Sequence, residues 1–544
     1  MVQAVCLALF LVLLFSRLGA DGEGLGALGR GGEFFLILDP LVSITAAVAS
    51  RALIWSLPAA AGVLVLGLFL PRFFCGYICP MGASIDLADW ITSSRRRPEA
   101  SERKGSRWYH LKYYILAVVF VAALFGVLVS GLVAALPLVT RGYGYFLGTA
   151  EMAFRDGWQA VAPLTVAKVA AVALFVFALG LGIVRRRFWC RHLCPTGALF
   201  SLIGRFSLFR RKVTADCVSC GKCAEACSFG AVMPDFTTHR ADCAICRTCA
   251  GVCPTGAIAF TARGAGRVAG RGDAVSTGER VAESWVGLSR RGILVSSAAA
   301  GAWALGVGRT EAAGGRGWPV RPPGSVPEDR FLSSCVACGE CMKVCPTGVL
   351  RPMGLGGGLG GLWTPQVATR WSGCSAECGN CTQVCPTGAI RAIDLEEKKA
   401  VRIGLAEVNE KTCLPHAGIG ECRVCEEACA AADHHAIRLV PVGGKLDAEG
   451  HPIEGSGLLA PVIVGQECVG CGFCQARCRS EVCAAGRLPG KEAIEVLAGP
   501  GKEDRLVTGS YIALRRAEAD EERKLKQPVE HDSADDAYLP DFLQ

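Results

Sequence analysis

Twenty-four of the chain's 30 cysteines fall into six groups of four, each within 17 residues. Cys217, Cys220, Cys223 and Cys227 are spaced C-x2-C-x2-C-x3-C, and Cys243, Cys246, Cys249 and Cys253 repeat that spacing, with Pro254 after the last. Thiolates at this spacing point to a pair of [4Fe-4S] cubanes, in which three ligands of one run hold one cluster and the fourth crosses to the other. The x2 steps let three thiolates converge on three irons of one cube, and the x3 step sends the last toward the neighbour. Zinc also binds thiolates at C-x2-C, but it takes four ligands in two pairs and explains two complete runs poorly.

Four further groups follow. Cys335, Cys338, Cys341 and Cys345 keep the regular spacing, as do Cys468, Cys471, Cys474 and Cys478. Cys374, Cys378, Cys381 and Cys385 open with x3, and eight residues separate Cys413 from Cys422, Cys425 and Cys429. Both irregular groups retain a C-x2-C-x3-C core, so the insertions fit loops around a cube. Six [4Fe-4S] clusters with these 24 cysteines as ligands are expected. By the crossing rule Cys345 and Cys385 exchange clusters, as do Cys429 and Cys478. A nested pairing of the first group with the fourth and the second with the third is the alternative. Cys6 is an apolar filler, and Cys483 has no assigned role.

Two shorter motifs, Cys75-x3-Cys79-Pro80 and Cys190-x3-Cys194-Pro195, each precede x-Gly-Ala. In a continuing helix the cysteines at i and i+4 share a face, and the two motifs can meet across a bundle. A joint four-thiol site, a redox-active dithiol and a structural turn all fit. His192 lies inside the second motif as a candidate donor to a thiolate or a quinone.

The elements that must position these residues begin with a membrane segment. The mean hydropathy of +0.36 is too high for an ordinary soluble protein of 544 residues. Apolar stretches at 1–20, 53–70, 114–138 and 160–184 approach the ~20 residues that cross a bilayer. Arg72, Arg95, Arg96, Arg97, Arg103, Lys104, Arg107 and Lys112 lie between the second and third, and Arg185, Arg186, Arg187 and Arg191 follow the fourth. The positive-inside rule places both basic segments in the cytoplasm. The net charge of +8 therefore reflects topology and not nucleic-acid binding. The expected fold is an α-helical four-helix membrane bundle joined to α+β ferredoxin-like domains. The predicted division is a membrane domain at 1–212, a cytoplasmic two-cluster domain at 213–261 and a Gly/Arg-rich linker at 262–288. A twin-arginine signal or fifth apolar helix at 289–308, a periplasmic four-cluster domain at 329–500 and a charged tail at 501–544 complete it.

Residues 1–260 resemble the NapH-type membrane subunit of the quinol dehydrogenases that feed periplasmic nitrate reductase. The likeness rests on Asp39-Pro40-Leu41, Phe74-Cys75 to Cys79-Pro80, Asp86-Leu87-Ala88 with Trp90, and His192. Nitrous-oxide-reductase regulators and cytochrome-oxidase accessory proteins share the C-x3-C-P and ferredoxin parts. Ser228 replaces the usual proline after Cys227. The second half resembles the NapG or MauM type of periplasmic four-cluster ferredoxin, through Ser289-Arg290-Arg291, the lead-in Val326 to Phe331 and the stretched third group. The chain thus resembles a natural fusion of the two subunits.

That resemblance implies an inner-membrane protein passing electrons from the quinol pool to a periplasmic c-type cytochrome or reductase, without a terminal substrate site of its own. A bridging subunit is a possible further partner. Quinone is the diffusible redox partner, with Asp39 and Asp86 as candidate proton acceptors, although both also suit helix caps. The alternative is a copper reductase or maturation factor acting through Cys75, Cys79, Cys190 and Cys194. A zinc scaffold is a third class. The sequence has no C-x-x-C-H haem attachment, and Leu355–Gly361 lacks the strand-to-helix context of a dinucleotide loop.

Overall fold

The computed structural model describes residues 2–15, 31–92, 107–156, 164–233, 235–262, 289–306, 317–443, 457–488 and 491–526. Most of the basic loop after the first motif, nearly all of the linker and the end of the charged tail lie outside these residues.

Apolar sequence and well-placed prolines make the first half helical. In chain order come α1 (Val2–Phe15), α2 (Gly31–Ile37), α3 (Pro40–Ser50), α4 (Leu57–Phe69), α5 (Pro80–Thr92) and α6 (Arg107–Leu124). They are followed by α7 (Ser130–Val133), α8 (Ala135–Asp156), α9 (Val166–Gly180) and α10 (Pro195–Gly204). Proline opens α3, α5 and α10, where the missing N–H costs nothing. Among the described residues one helix, Val166–Ile183, is long and apolar enough to cross a membrane, and five shorter apolar helices accompany it.

Two expectations change here. The connection near 20–51, between the first two apolar stretches, contains α2 and α3, with Phe35, Leu36, Leu41 and Ala46 buried. Asp39 starts the second of these as its N-cap, accepting from the Leu41 amide at 3.0 Å. The span expected over 114–138 is broken after Leu124, where Gly126 adopts a left-handed φ of 82°. The chain restarts as α7 and α8, and the latter fills most of the connection between the third and fourth apolar stretches. Its mixed polar and apolar sequence hid it from a hydropathy reading.

The two-cluster domain is one antiparallel ribbon, β1 (Phe209–Val213) with β2 (Ile258–Ala262), closing around α11 (Lys222–Glu225) and α12 (Thr248–Gly251). After the linker, α13 (Arg290–Gly306) lies along α6. Gly292 meets Tyr114, Gly301 meets Phe125, and Ala304 packs with Ala122 and Val127. Small residues at such contacts let helix backbones approach closely.

The four-cluster domain holds three more two-stranded antiparallel ribbons. They are β3 (Leu350–Pro352) with β4 (Pro365–Val367), β5 (Leu405–Val408) with β8 (Ile494–Leu497), and β6 (Ile437–Val442) with β7 (Leu458–Ile463). With so little sheet, the core is built on the cysteines themselves, all four groups contributing to one apolar cluster.

The two iron-sulfur domains dock at different ends of the helical segment. At one end Asp242 is buried against Lys112 (2.9 Å) and Arg72 (2.7 Å). Burial alone would raise its carboxyl, but these cations hold it well below the usual carboxylate range. At the other end Arg141, 1% exposed, donates to the carbonyls of Gly131 (2.7 Å) and Ala337 (2.9 Å) and stacks on Trp363. Trp363 in turn donates to the Ala167 carbonyl at 2.8 Å.

Candidate functional site

Three cavities of about 350–370 Å³ are each lined by four cysteines. One gathers Cys217, Cys220, Cys223 and Cys253, and the next Cys243, Cys246, Cys249 and Cys227. The third gathers Cys413, Cys422, Cys425 and Cys478. In every case three thiols come from one group and the fourth from its partner, which is the crossing arrangement. In the remaining groups Cys385 is the electrostatic neighbour of Cys335, Cys338 and Cys341, and Cys345 that of Cys374 and Cys381. Cys429 likewise faces Cys471 and Cys474. Sequential pairing is the geometry found, and the nested alternative is not.

Local backbone explains how the loops converge. The second residue after the first cysteine is left-handed in the regular groups, at Ser219 (52°), Ile245 (50°), Ala337 (48°) and Gly470 (73°). The residue after the second cysteine repeats this at Gly221, Arg247, Gly339 and Gly472. Such turns aim successive N–H groups into the concavity. The two irregular groups replace this loop with their insertions.

The donors around sulfur are also patterned. Cys-Pro-Thr-Gly recurs at Cys253, Cys345 and Cys385, and each threonine hydroxyl lies 3.6–3.9 Å from the cysteine sulfur. Backbone amides of Ala231 and Ile390 donate to Cys227 (3.3 Å) and Cys385 (3.4 Å). Cys483, which had no role in the sequence, hydrogen-bonds to Cys478. Burial pushes Cys243, Cys335, Cys425 and Cys471 up to about 12. These thiols stay neutral at physiological pH until a metal takes the proton's place. The donor set, shape and crossing fit cubanes, which when bound supply one-electron couples whose potentials follow burial and hydrogen bonding.

The C-x3-C-P motifs do not continue their helices. Each is a π-helical turn, Phe74–Ile78 and Trp189–Leu193, whose last cysteine is the extended residue before the next helix. Cys79, Cys190 and Cys194 are buried, and all four thiols lie within electrostatic reach of one another. Asp86 is bound to Arg187, with Oδ1 2.7 Å from Nε. Asp39 is fully buried, caps α3 and receives the Thr196 hydroxyl at 3.4–3.5 Å. His192 is buried against Phe188. All three candidates thus sit in the packing around the motifs.

A cleft of about 740 Å³, missed in the sequence, opens between α8, α9 and the first loop of the four-cluster domain. Arg141, Tyr145, Lys168, Glu340 and Met342 line it. The Tyr145 hydroxyl reaches the Met342 sulfur at 3.5 Å, while Glu340 Oε1 and Arg141 Nη2 have no hydrogen-bond partner. Cys341 follows Glu340 directly, so the cleft wall is part of a cluster loop.

Two family models match, a 4Fe-4S binding domain at 52–98 and again at 168–215, and a 4Fe-4S dicluster domain at 334–390. The chain is 31% identical over 216 residues to the methylamine utilization ferredoxin-type protein MauN of Paracoccus denitrificans, covering 38% of this chain and 64% of that protein. It is 34% identical over 162 residues to MauM of Methylorubrum extorquens (29% and 67%) and 34% over 187 residues to the ferredoxin-type protein NapG of Escherichia coli (34% and 77%). No solved structure matches. The chain belongs to the MauM/NapG family of ferredoxin-type iron-sulfur electron-transfer proteins, in a NapH/NapG-like fusion.

Proposed function

We propose that this protein is a membrane-bound quinol dehydrogenase component that passes electrons, one at a time, from quinol to a periplasmic cytochrome or reductase. Six [4Fe-4S] clusters in the 24 grouped cysteines carry them, two in a cytoplasmic domain and four in a periplasmic one. Exposed apolar side chains on the helices, among them Val166, Val176, Phe177, Leu294 and Val295, support a lipid environment. Exposed Arg185 and Arg186 at the C-x3-C-P end support its assignment to the cytoplasm. In this topology α13 is a fifth membrane helix that carries the chain across to the four-cluster domain.

The observation that carries the reading is the cleft between the apolar helices and the Cys338–Cys341 loop. Its mixed polar and apolar lining suits a quinol headgroup, and its wall is both a lipid-side helix and the Cys338–Cys341 loop. Tyr145, Arg141 and Lys168 supply polar contacts for two ring oxygens. A cluster held by Cys335, Cys338, Cys341 and Cys385 would take the electrons one at a time, and the two protons would go to water at the cleft mouth. A photoreactive quinone analogue, illuminated with the full-length protein in vesicles, should label residues 140–151 and 338–350. Labelling confined to other segments, or not suppressed by excess quinol, would remove the cleft from the account.

A further inference from the structure

The four C-x3-C-P thiols and the arginines beside them have no part in that scheme, yet they are built as a two-fold repeat. Arg72-x2-Cys75-x3-Cys79-Pro80-x-Gly82 matches Arg187-x2-Cys190-x3-Cys194-Pro195-x-Gly197. Arg72 and Arg187 are both 1% exposed and both left-handed at φ 52°. A non-glycine residue holds that conformation only where its surroundings fix it. Each guanidinium crosses to the other repeat: Arg72 donates to the Gly197 carbonyl at 3.2 Å, and Arg187 to the Cys75 carbonyl at 3.3 Å.

The glycines repeat the symmetry. A Cβ on Gly82 would lie 2.8 Å from the Cys75 oxygen, and one on Gly197 would lie 3.0 Å from the Cys190 oxygen. Their amides donate to the second sulfur of each motif, the Gly197 amide at 3.3 Å from Cys194 and that of Gly82 to Cys79. The charges that act on Cys75 are led by the two arginines, with Asp39 and Lys112 weaker, and those that act on Cys190 are led by Arg187, with Asp86 and Arg72 weaker. Guanidinium groups against the thiols disfavour a bare copper cation and favour an anionic thiolate cluster. Each matched 4Fe-4S binding segment contains only two cysteines, whereas a cubane takes four.

We propose that Cys75, Cys79, Cys190 and Cys194 jointly ligate one additional [4Fe-4S] cluster between the two repeats, and that it relays electrons between the two iron-sulfur domains. One neighbour touches the site, and the other is reached through α3. Phe229, two residues beyond Cys227, lies under Arg187 (4.3 Å) and Arg72 (5.8 Å), and Ala244, next to Cys243, packs on Gly76. In the other direction Thr196 meets Asp39 at the start of α3. Six residues on, about 9 Å of helix rise, Thr45 bonds Ser130 at 2.8 Å, beside the Gly131–Val336 contact. Cys338 shares one apolar core with Cys79, Cys190 and Cys194. The relay accepts one electron from one neighbour and gives it to the other, with no bond made and no proton moved.

The relay role rests on the electron-transfer reading above, but the ligation does not. The test is iron and acid-labile sulfide per chain in the anaerobically purified full-length protein, with EPR of the reduced form. Seven cubanes give about 28 Fe and six give about 24. The expected result is about 28 in the parent and in Cys6→Ser, and about 24 in Cys79→Ser/Cys194→Ser, with one EPR component lost. A parent value of 24, an unchanged value of 28 in the double variant, or stoichiometric zinc or copper lost with those thiols would each overturn the seventh site while leaving the six-cluster wire standing. A parent value of about 8 or below would instead overturn the electron-transfer reading. Should the double variant fail to fold, the parent count still decides.

Discussion

Substituting Gly131→Ala tests whether the four-cluster domain is fixed to the helical segment, as the quinol route requires. A Cβ there would stand 2.3 Å from the Val336 oxygen, 2.6 Å from its carbonyl carbon and 3.0 Å from its Cα. All three are backbone atoms, so no side-chain rotation relieves the clash. Overpacking of this kind costs about 1–3 kcal/mol, a roughly 5- to 150-fold shift in a docking equilibrium. The same contact is bridged by Arg141, and Arg141→Met leaves the Gly131 and Ala337 carbonyls without their donor, at about 1–3 kcal/mol per unsatisfied group. Because the two residues share one contact, the double variant should lose less than the sum. Hydrogen-deuterium exchange of residues 336–338, read beside quinol-driven cluster reduction, is the assay. Exchange should quicken and reduction slow in both variants, while the cysteine-bound iron stays constant. Unchanged exchange in Gly131→Ala would refute the docking.

Thr347→Val and Thr387→Val remove a hydroxyl near a cluster sulfur and should lower the potential of the corresponding cubane. Serine at either position should restore it in an EPR redox titration. Glu492 should make the four-cluster domain acid-sensitive. Burial would raise its carboxyl, but hydrogen bonds from Arg370 and Gln475 bring it down to about 2, so its stabilisation is full above the unfolded value near 4.3 and fades as pH falls toward 2. Glu492→Gln should flatten that part of a stability-pH curve, and an unaltered curve would show the ion pairs to be idle. Removing iron with a chelator under reducing conditions should unfold the four-cluster domain before the helical segment, because buried neutral thiols replace cluster ligands in its core. Circular dichroism and tryptophan fluorescence would record the order, and simultaneous loss would contradict it.

The thiol groups were legible from spacing, because cysteines two and three residues apart are brought together by a short loop. The crossing was read from the same x3 step, and the cavities at Cys253, Cys227 and Cys478 each gather three thiols of one group with one of its partner. The helical segment was less legible. Hydropathy finds α4 and α9, but α3 and α8 are buried by tertiary contacts that bring polar Thr45, Ser130 and Arg141 inside, which no windowed average anticipates. Gly126 and Asp39 are local signals that, read as helix punctuation, place those boundaries. The thiol turns were legible as a repeat, whereas their π-helical form and the reciprocal arginines depend on contacts more than a hundred residues apart. The cleft at Tyr145 and Glu340 joins two halves separated by an apolar helix and a linker, and no spacing encodes it.

The most direct test of the central claim is anaerobic mixing of the oxidised full-length protein in vesicles with a stoichiometric quinol, followed by freeze-quench EPR. Electron transfer through the grouped cysteines predicts that reduced cubane signals grow in step with quinol loss, two electrons per quinol. Quinol that persists beside fully oxidised clusters, which dithionite nevertheless reduces, would contradict it.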